Sequence, residues 1–182
     1  GGTVYNSVIL TRKTGQARSL GDLKGKIFAF TDELSLSGHL YVKARLAELK
    51  QTSGFFGATL FTGSHDNSIK AVAEGFADAA CVDDLIFQSL LRRNDFYAKQ
   101  LKVLEKSPPF GILPVVARHS LEADIKARAR AALLTMHKDR EGARILKTIS
   151  IERFVTPAPG LYSYAGEVLK KTNKPVKAGQ SR

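Results

Sequence analysis

Over the first hundred residues, short apolar runs alternate with stretches in which apolar positions recur at helical spacing. Thr3-Val4-Tyr5-Asn6-Ser7-Val8-Ile9-Leu10 is β-rich and only loosely alternating, the pattern of a strand buried on both faces. Thr14-Gly15-Gln16 breaks it, and Ser19-Leu20-Gly21-Asp22-Leu23 predicts one helical turn capped by Ser19. Lys26-Ile27-Phe28-Ala29-Phe30 predicts a short buried strand, and residues 37–50 a helix with Leu40, Ala44 and Ala47 on one face. A strand over 59–62, a helix over 66–74, a strand over 78–82 and a helix over 85–92 continue the alternation. Strand and helix in turn argue for an α/β domain with a mainly parallel sheet.

After residue 100 the pattern changes. A strand over 101–104, a rigid turn Ser107-Pro108-Pro109-Phe110-Gly111 and an apolar strand over 112–117 precede helices over 121–137, 140–149 and 162–171. One apolar strand followed by three helices cannot cover its own sheet edges. The portion after Ser107 is therefore expected to be part of a second lobe. Its sheet would be filled by residues 5–10 or by chain preceding Gly1.

A length of 182 residues, 43% hydrophobic and 25% charged, is that of a folded chain able to bury a core. Cys81 is the sole cysteine, which excludes an internal disulfide and thiolate-rich metal sites. No apolar run approaches the ~20 residues of a membrane span, so no membrane insertion is expected within the chain. The net charge of +11 raises the question of nucleic acid, but Lys170, Lys171, Lys174, Lys177 and Arg182 carry five of those charges. Elsewhere bases alternate with acids, as in Lys43, Arg45, Glu48 and Lys50, the pattern of a wet helix face. Zinc-finger spacing and aromatic RNA-binding consensus are both missing, and no nucleic-acid partner is expected.

In open α/β sheets ligands bind beyond the carboxyl ends of strands, where helix N-termini converge. Two strand-to-helix junctions are rich in donors. In Thr31-Asp32-Glu33-Leu34-Ser35-Leu36-Ser37-Gly38-His39, the Ser35 and Ser37 hydroxyls and the amides around Gly38 and His39 would make an anion site. Gly38 would let the backbone approach a ligand closely. The second junction is Thr62-Gly63-Ser64-His65-Asp66-Asn67-Ser68, and a third, Val82-Asp83-Asp84, offers carboxylates. Ser37, Ser64, Asp66 and Asp83 read equally well as helix caps worth about 1 kcal/mol each. No HxxxH or HExxH spacing supports a metal, and the absence of GxSxG leaves a serine hydrolase without its strained nucleophile turn. Cys81, between Ala80 and Val82, reads as an inert buried thiol.

Taken in order, several motifs are more specific than any one of them. They are Tyr5-Asn6-Ser7-Val8-Ile9, Ser19 through Phe30, Asp32 through Ser35-Leu36-Ser37-Gly38-His39, Phe61-Thr62-Gly63-Ser64-His65-Asp66, Ala71 through Ala80, and Lys106-Ser107-Pro108-Pro109. Over roughly residues 4–155 the chain resembles the substrate-binding proteins of phosphate/phosphite/phosphonate-type ABC transporters, which have the type 2 periplasmic-binding-protein fold. The resemblance implies two α/β lobes with mainly parallel sheets, a hinge of two crossing strands, and a ligand held between the lobes. It also implies that the first lobe is incomplete, since the family's N-terminal segment has no counterpart here. The expected organisation is a hinge-crossing strand over 1–12, a complete lobe over 13–104, a return hinge with the helical part of the other lobe over 105–170, and a basic flexible tail over 171–182.

Carried over by motif, Ser35, Ser37 and the amides near Gly38 and His39 would hold the oxyanion. Ser64 and His65 would meet it from the second junction, with Asp83 or Asp84 at the ligand's other end and Tyr5 and Ser107 on the hinge crossings. Leu36 stands where the family commonly has Thr, which removes one hydroxyl. The function so implied is capture of a small oxyanion without catalysis, cofactor or metal. The location would be periplasmic or otherwise extracytoplasmic, and the partner a membrane permease or a fused signalling module. A sensor domain of a membrane receptor and the effector-binding domain of a transcriptional regulator share the fold and are the alternatives.

Overall fold

The computed structural model describes residues 2–51 and 54–172. They divide into two compact units, one of residues 4–110 with 162–172, the other of residues 2–3 with 111–161.

The larger unit is built on a five-stranded sheet. Its strands are β2 (Ser7–Arg12), β3 (Ile27–Phe30), β4 (Ala58–Phe61), β5 (Ala79–Asp83) and β6 (Leu101–Lys106), in the order β4-β3-β5-β2-β6. β4, β3 and β5 run parallel, with Phe28 opposite both Thr59 and Ala79. β2 then pairs antiparallel with β5, Ile9 facing Cys81, and with β6, Arg12 facing Leu101. The absence of alternation around residue 8 is explained by burial on both faces, since Val8, Ile9 and Leu10 are all enclosed.

Successive residues of each strand point to opposite faces. Val8, Leu10, Ala29, Ala80 and Val82 form one core with Ile69 and Val72 of α2 (His65–Ala73) and Phe87 of α3 (Asp84–Arg92). At about 1.5–3 kcal/mol for each large side chain removed from water, this cluster is a main source of stability. On the other face Phe28 stacks on Phe56 at 4.4 Å, and Phe30 meets Phe56 edge-on at 6.0 Å.

The helix expected over 37–50 forms as two pieces: a wide turn Leu36–Leu40 that runs directly into α1 (Tyr41–Glu48). In the wide turn the Leu40 N–H reaches back five residues to the Ser35 carbonyl (2.9 Å), the spacing of a π-turn rather than an α-helix. The helical run therefore starts at Leu36 with Ser35 as its cap, not at Ser37. β1 (Val4–Tyr5) pairs with β7 (Phe110–Gly111), and the Tyr5 and Phe110 rings lie 5.7 Å apart. Just before β7, Ser107 N–H donates to the Ser7 carbonyl (2.9 Å), which extends the β2–β6 pairing.

Helix α6 (Ser163–Thr172) belongs to this unit: Tyr164 stacks on Phe110 at 4.9 Å, and Lys171 pairs with Glu48 of α1 at 2.5 Å. Glu48 also meets Arg45, which with Tyr41 binds Glu105 of β6. Of the basic tail expected over 171–182, Lys171 and Thr172 end α6, and residues 173–182 lie outside the described residues.

In the smaller unit, α4 (Ala123–Thr135) and α5 (Arg140–Thr148) are joined by a tight turn, Met136–Lys138. Asp139 caps α5 by accepting the Gly142 N–H at 2.7 Å. The strand expected over 112–117 does not form. Pro114 removes a ladder donor, no neighbouring strand among the described residues accepts the segment, and Leu113, Val115 and Val116 are exposed.

Candidate functional site

Three helical starts follow three adjacent strands of the parallel part of the sheet. The Leu36–Leu40 turn follows β3, α2 follows β4, and α3 follows β5. Residues separated by up to fifty positions in sequence therefore gather along one sheet edge.

At the first start, the Ser35 side chain accepts the Gly38 N–H (3.0 Å), and the His39 N–H returns to the Ser35 carbonyl (3.1 Å). The amides of Gly38 and His39 are thus committed inside the turn. The N–H groups of Leu36 and Ser37, the first two of the helical run, have no partner among the described residues. The close approach that requires Gly38 is with protein, since a Cβ there would stand 2.0 Å from Thr31 Oγ1 and 2.9 Å from Ser35 Oγ. Ser37 is buried, and its side chain lies near enough to the Tyr5 phenol to pull the phenol's pKa down against the larger effect of burial. Burial, reinforced by the charge of Asp83, raises the Tyr5 pKa, so the phenol stays protonated.

His39 turns away from donor chemistry. Its Nδ1 donates to the Glu33 carbonyl at 2.8 Å, and its ring packs edge-on against Phe30 and Phe61 at 4.7 and 5.2 Å. Burial lowers its pKa. In the neutral ring with Nδ1 protonated, Nε2 is an acceptor.

At the second start, Ser64 caps α2 by accepting the Asn67 N–H (3.1 Å). His65 behaves oppositely to His39. The Asp83 N–H donates to His65 Nδ1 (3.2 Å), and Thr31 Oγ1 lies 3.2 Å from the same nitrogen. Because an amide only donates, Nδ1 is an acceptor and the ring proton sits on Nε2. Burial lowers the His65 pKa against the opposing pull of Asp83, Asp66 and Asp32, so the ring is neutral at neutral pH. Nε2–H has no partner among the described residues and is a donor available to an anion.

At the third start the two carboxylates differ. Asp83 Oδ1 accepts the Leu85 N–H (2.7 Å), and burial raises its pKa. Asp84 is tied to the residue before β2 and the last residue of β6: Oδ1 accepts the Asn6 N–H (2.8 Å) and Oδ2 pairs with Lys106 (3.2 Å). Ser107 is similarly engaged, its hydroxyl accepting from the Ser7 N–H (2.9 Å) and donating to the Pro108 carbonyl (2.6 Å). The edge thus gathers Ser35, Ser37, His65 and Asp83, with Tyr5 beside Ser37. Gly38, Ser64, Asp84 and Ser107 hold the backbone around them, and His39 belongs to the aromatic cluster.

Sequence reasoning passed over Thr31 and Ser7. Thr31 is the wall behind Gly38 and a neighbour of His65; Ser7, fully buried, donates to the Ser37 carbonyl at 2.6 Å. The visible signal for Ser7 was a polar residue inside an otherwise apolar strand. Among the described residues no three His, Cys, Asp or Glu side chains converge as a metal ion would need.

The model of the family described as "ABC transporter, phosphonate, periplasmic substrate-binding protein" matches residues 1–162. The chain belongs to this family. A curated relative, the probable ABC transporter phosphite binding protein PhnD1 of Prochlorococcus marinus, is 25% identical over 93% of this chain and 62% of its own length. The chain therefore spans about three-fifths of that relative. The solved structure of the same protein in complex with methylphosphonate superposes with a TM-score of 0.79 at 24% identity, over 95% of this chain and 68% of that one. A binding-protein component of an ABC phosphonate transporter from Pseudomonas aeruginosa gives 0.79 at 25% identity, over 94% and 59%. The fold is that of the type 2 periplasmic binding proteins, as the ordered motifs implied.

Proposed function

We propose that this phosphonate-family chain captures a small phosphorus oxyanion, of the phosphate, phosphite or phosphonate class, at the carboxyl edge of β3, β4 and β5. The observation that carries the reading is the set of unpaired neutral donors on that edge: the N–H groups of Leu36 and Ser37 and the His65 Nε2–H. A hydrogen bond to a charged group contributes about 1.5–3 kcal/mol, roughly twice a neutral one, so a few converging donors suffice for an anion without a nearby lysine or arginine. The start of the helical run adds its partial positive charge.

In this reading the Ser35 and Ser37 hydroxyls stand beside the two amides, and His65 closes on the anion from the second start. Asp83 meets the ligand's other end, where it accepts a hydrogen bond from a protonated oxygen or an organic group. Gly38, His39, Ser64, Asp84, Tyr5 and Ser107 shape and hold these groups. The reading is one of binding without catalysis: nothing on this edge pairs an activated nucleophile with a base, and the neutral His65 already spends Nδ1 on an amide. Family membership supports periplasmic capture and delivery to a membrane permease over the sensor and regulator alternatives. Among the described residues no helix is long and apolar enough to cross a membrane.

Isothermal titration of the full-length protein with phosphate, phosphite, methylphosphonate and sulfate tests the reading. Saturable binding of at least one phosphorus oxyanion, weakened by Ser37→Ala, is expected. No heat from any of them would overturn it.

A further inference from the structure

The Leu36–Leu40 turn is unusual in how its carbonyls are satisfied. In an α-helix the Tyr41 N–H would be directed at the Ser37 carbonyl, four residues back. Here it goes to the Leu36 carbonyl, five back, which is what makes the turn wide. The Ser37 carbonyl takes donors from outside the helix instead. Ser7 Oγ of β2 donates to it at 2.6 Å, and Cys81 Sγ of β5 donates to it at 2.9 Å. Ser7 Oγ and Cys81 Sγ are themselves 2.9 Å apart, so the three groups form one closed cluster. Ser7 and Cys81 are both 0% exposed and Ser37 is 4% exposed, so water does not substitute for any member.

The same peptide plane is gripped at its other end, where the Gly38 N–H donates to Ser35 Oγ. With that plane fixed at both ends, the next two planes back along the chain, which carry the N–H groups of Ser37 and Leu36, are fixed as well. We propose that Ser7 and Cys81 are positioning residues for the anion site: by holding the Ser37 carbonyl they keep the turn in its wide form and aim the Leu36 and Ser37 amides. This rests on the oxyanion reading above for its functional meaning. The cysteine has no redox or nucleophilic part in it. Complete burial pushes its pKa up to about 12, so the thiol keeps its proton and serves as a donor throughout the physiological range.

The alternative form of the turn is specific. Without its two outside donors, the Ser37 carbonyl recovers a partner by taking the Tyr41 N–H in α-register, which rotates the two preceding amides. Ser7→Ala and Cys81→Ala are each expected to weaken binding of phosphate, phosphite or methylphosphonate by roughly 3- to 10-fold, the equivalent of one buried neutral hydrogen bond. Their effects should combine less than multiplicatively, because both act on one carbonyl. Cys81→Ser, which keeps a donor, should recover most of the affinity. Val72→Ala, in the core on the opposite face, should lower the melting temperature and leave affinity unchanged.

The turn is also read without ligand. In 1H–15N spectra of the full-length protein, the Leu36, Ser37 and Tyr41 amides should shift and exchange faster in Ser7→Ala and Cys81→Ala, while Asp66 and Asn67 do not. Unchanged amides overturn the inference, as does a Val72→Ala loss of affinity matching that of Cys81→Ala. A wild-type protein that binds none of the probes defeats the functional reading instead, and the spectra still decide the role of Ser7 and Cys81.

Discussion

The wide turn after β3 and the start of α2 after β4 follow neighbouring strands on one sheet edge, yet they are held differently. The first is enclosed: Gly38 lies against Thr31 with no room for a methyl group, and the Ser37 carbonyl is clamped by buried side chains. The second is open: Ser64 caps it from a half-buried position, Asp66 and Asn67 are exposed, and the donor is a single ring oriented by one amide. The contrast separates two ways of preparing a binding site. Backbone donors are set by packing and respond to volume; a side-chain donor is set by hydrogen bonds and responds to protonation.

The largest effect should come from volume. Gly38→Ala drives a Cβ into Thr31 Oγ1, and overpacking of this kind costs about 1–3 kcal/mol or more. Asp66→Ala, at the exposed start of α2, should stay within about 0.5 kcal/mol. Chemical denaturation of both variants measures the difference, and equal losses would break the distinction between an enclosed and an open start. Next is His65. Replacing it by Ala removes one donor to the anion and should weaken binding by roughly 10- to 100-fold, the range for a hydrogen bond to a charged group. His65→Asn, whose amide keeps a donor and an acceptor, should lose less. Titration calorimetry against the best-bound oxyanion reads both.

Protonation should give a smaller and directional effect. The folded-state pKa values of His65 and His39 are lowered by burial, so the unfolded chain binds more protons in the acid range. Their contribution to stability is fully present above the ordinary histidine value near 6.5 and is lost as pH falls from there through the folded values. Melting temperatures measured between pH 8 and pH 5 should decline below about 6.5, and His65→Asn should flatten part of that decline. The cap should have only a local effect. Ser64→Ala should cost about 1 kcal/mol and should leave the amide shifts of Leu36 and Ser37 in place.

Much of this arrangement was legible in the chain. The apolar run around Val8, the Phe28–Phe30 strand and the Ser64 and Asp83 caps follow from local pattern, because each depends on neighbours within a few positions. The ordered motifs carried the family and fold. The wide turn was not legible: its five-residue hydrogen bond leaves no periodic signature, and the helix was expected to start one residue late. Gly38 was visible, but its reason was not, since Thr31 is brought against it by the fold. Ser7 and Cys81 meet Ser37 across 30 and 44 residues, a contact that no local pattern encodes. The apolar stretch over 112–117 misled for the converse reason. Its composition is that of a strand, but a strand also needs an edge to join.

The antiparallel insertion of β2 between β5 and β6 bears on how the molecule comes together. Ser7 is matched to Asp83 and Arg12 to Leu101, so within the five-stranded sheet the strand earliest in sequence is the one whose partners come last. A chain emerging from its amino end carries the apolar run Val8-Ile9-Leu10 with one ladder edge vacant until residue 83 and the other until residue 106. The parallel part around β3 has no such wait for β4, but it too is left without its β5 neighbour until residue 83. Closure is therefore a late, long-range event that completes the clamp on the wide turn and then the last pairing of the sheet. Such topologies fold slowly for their size, and stopped-flow refolding of the whole chain should report that closing as its dominant phase.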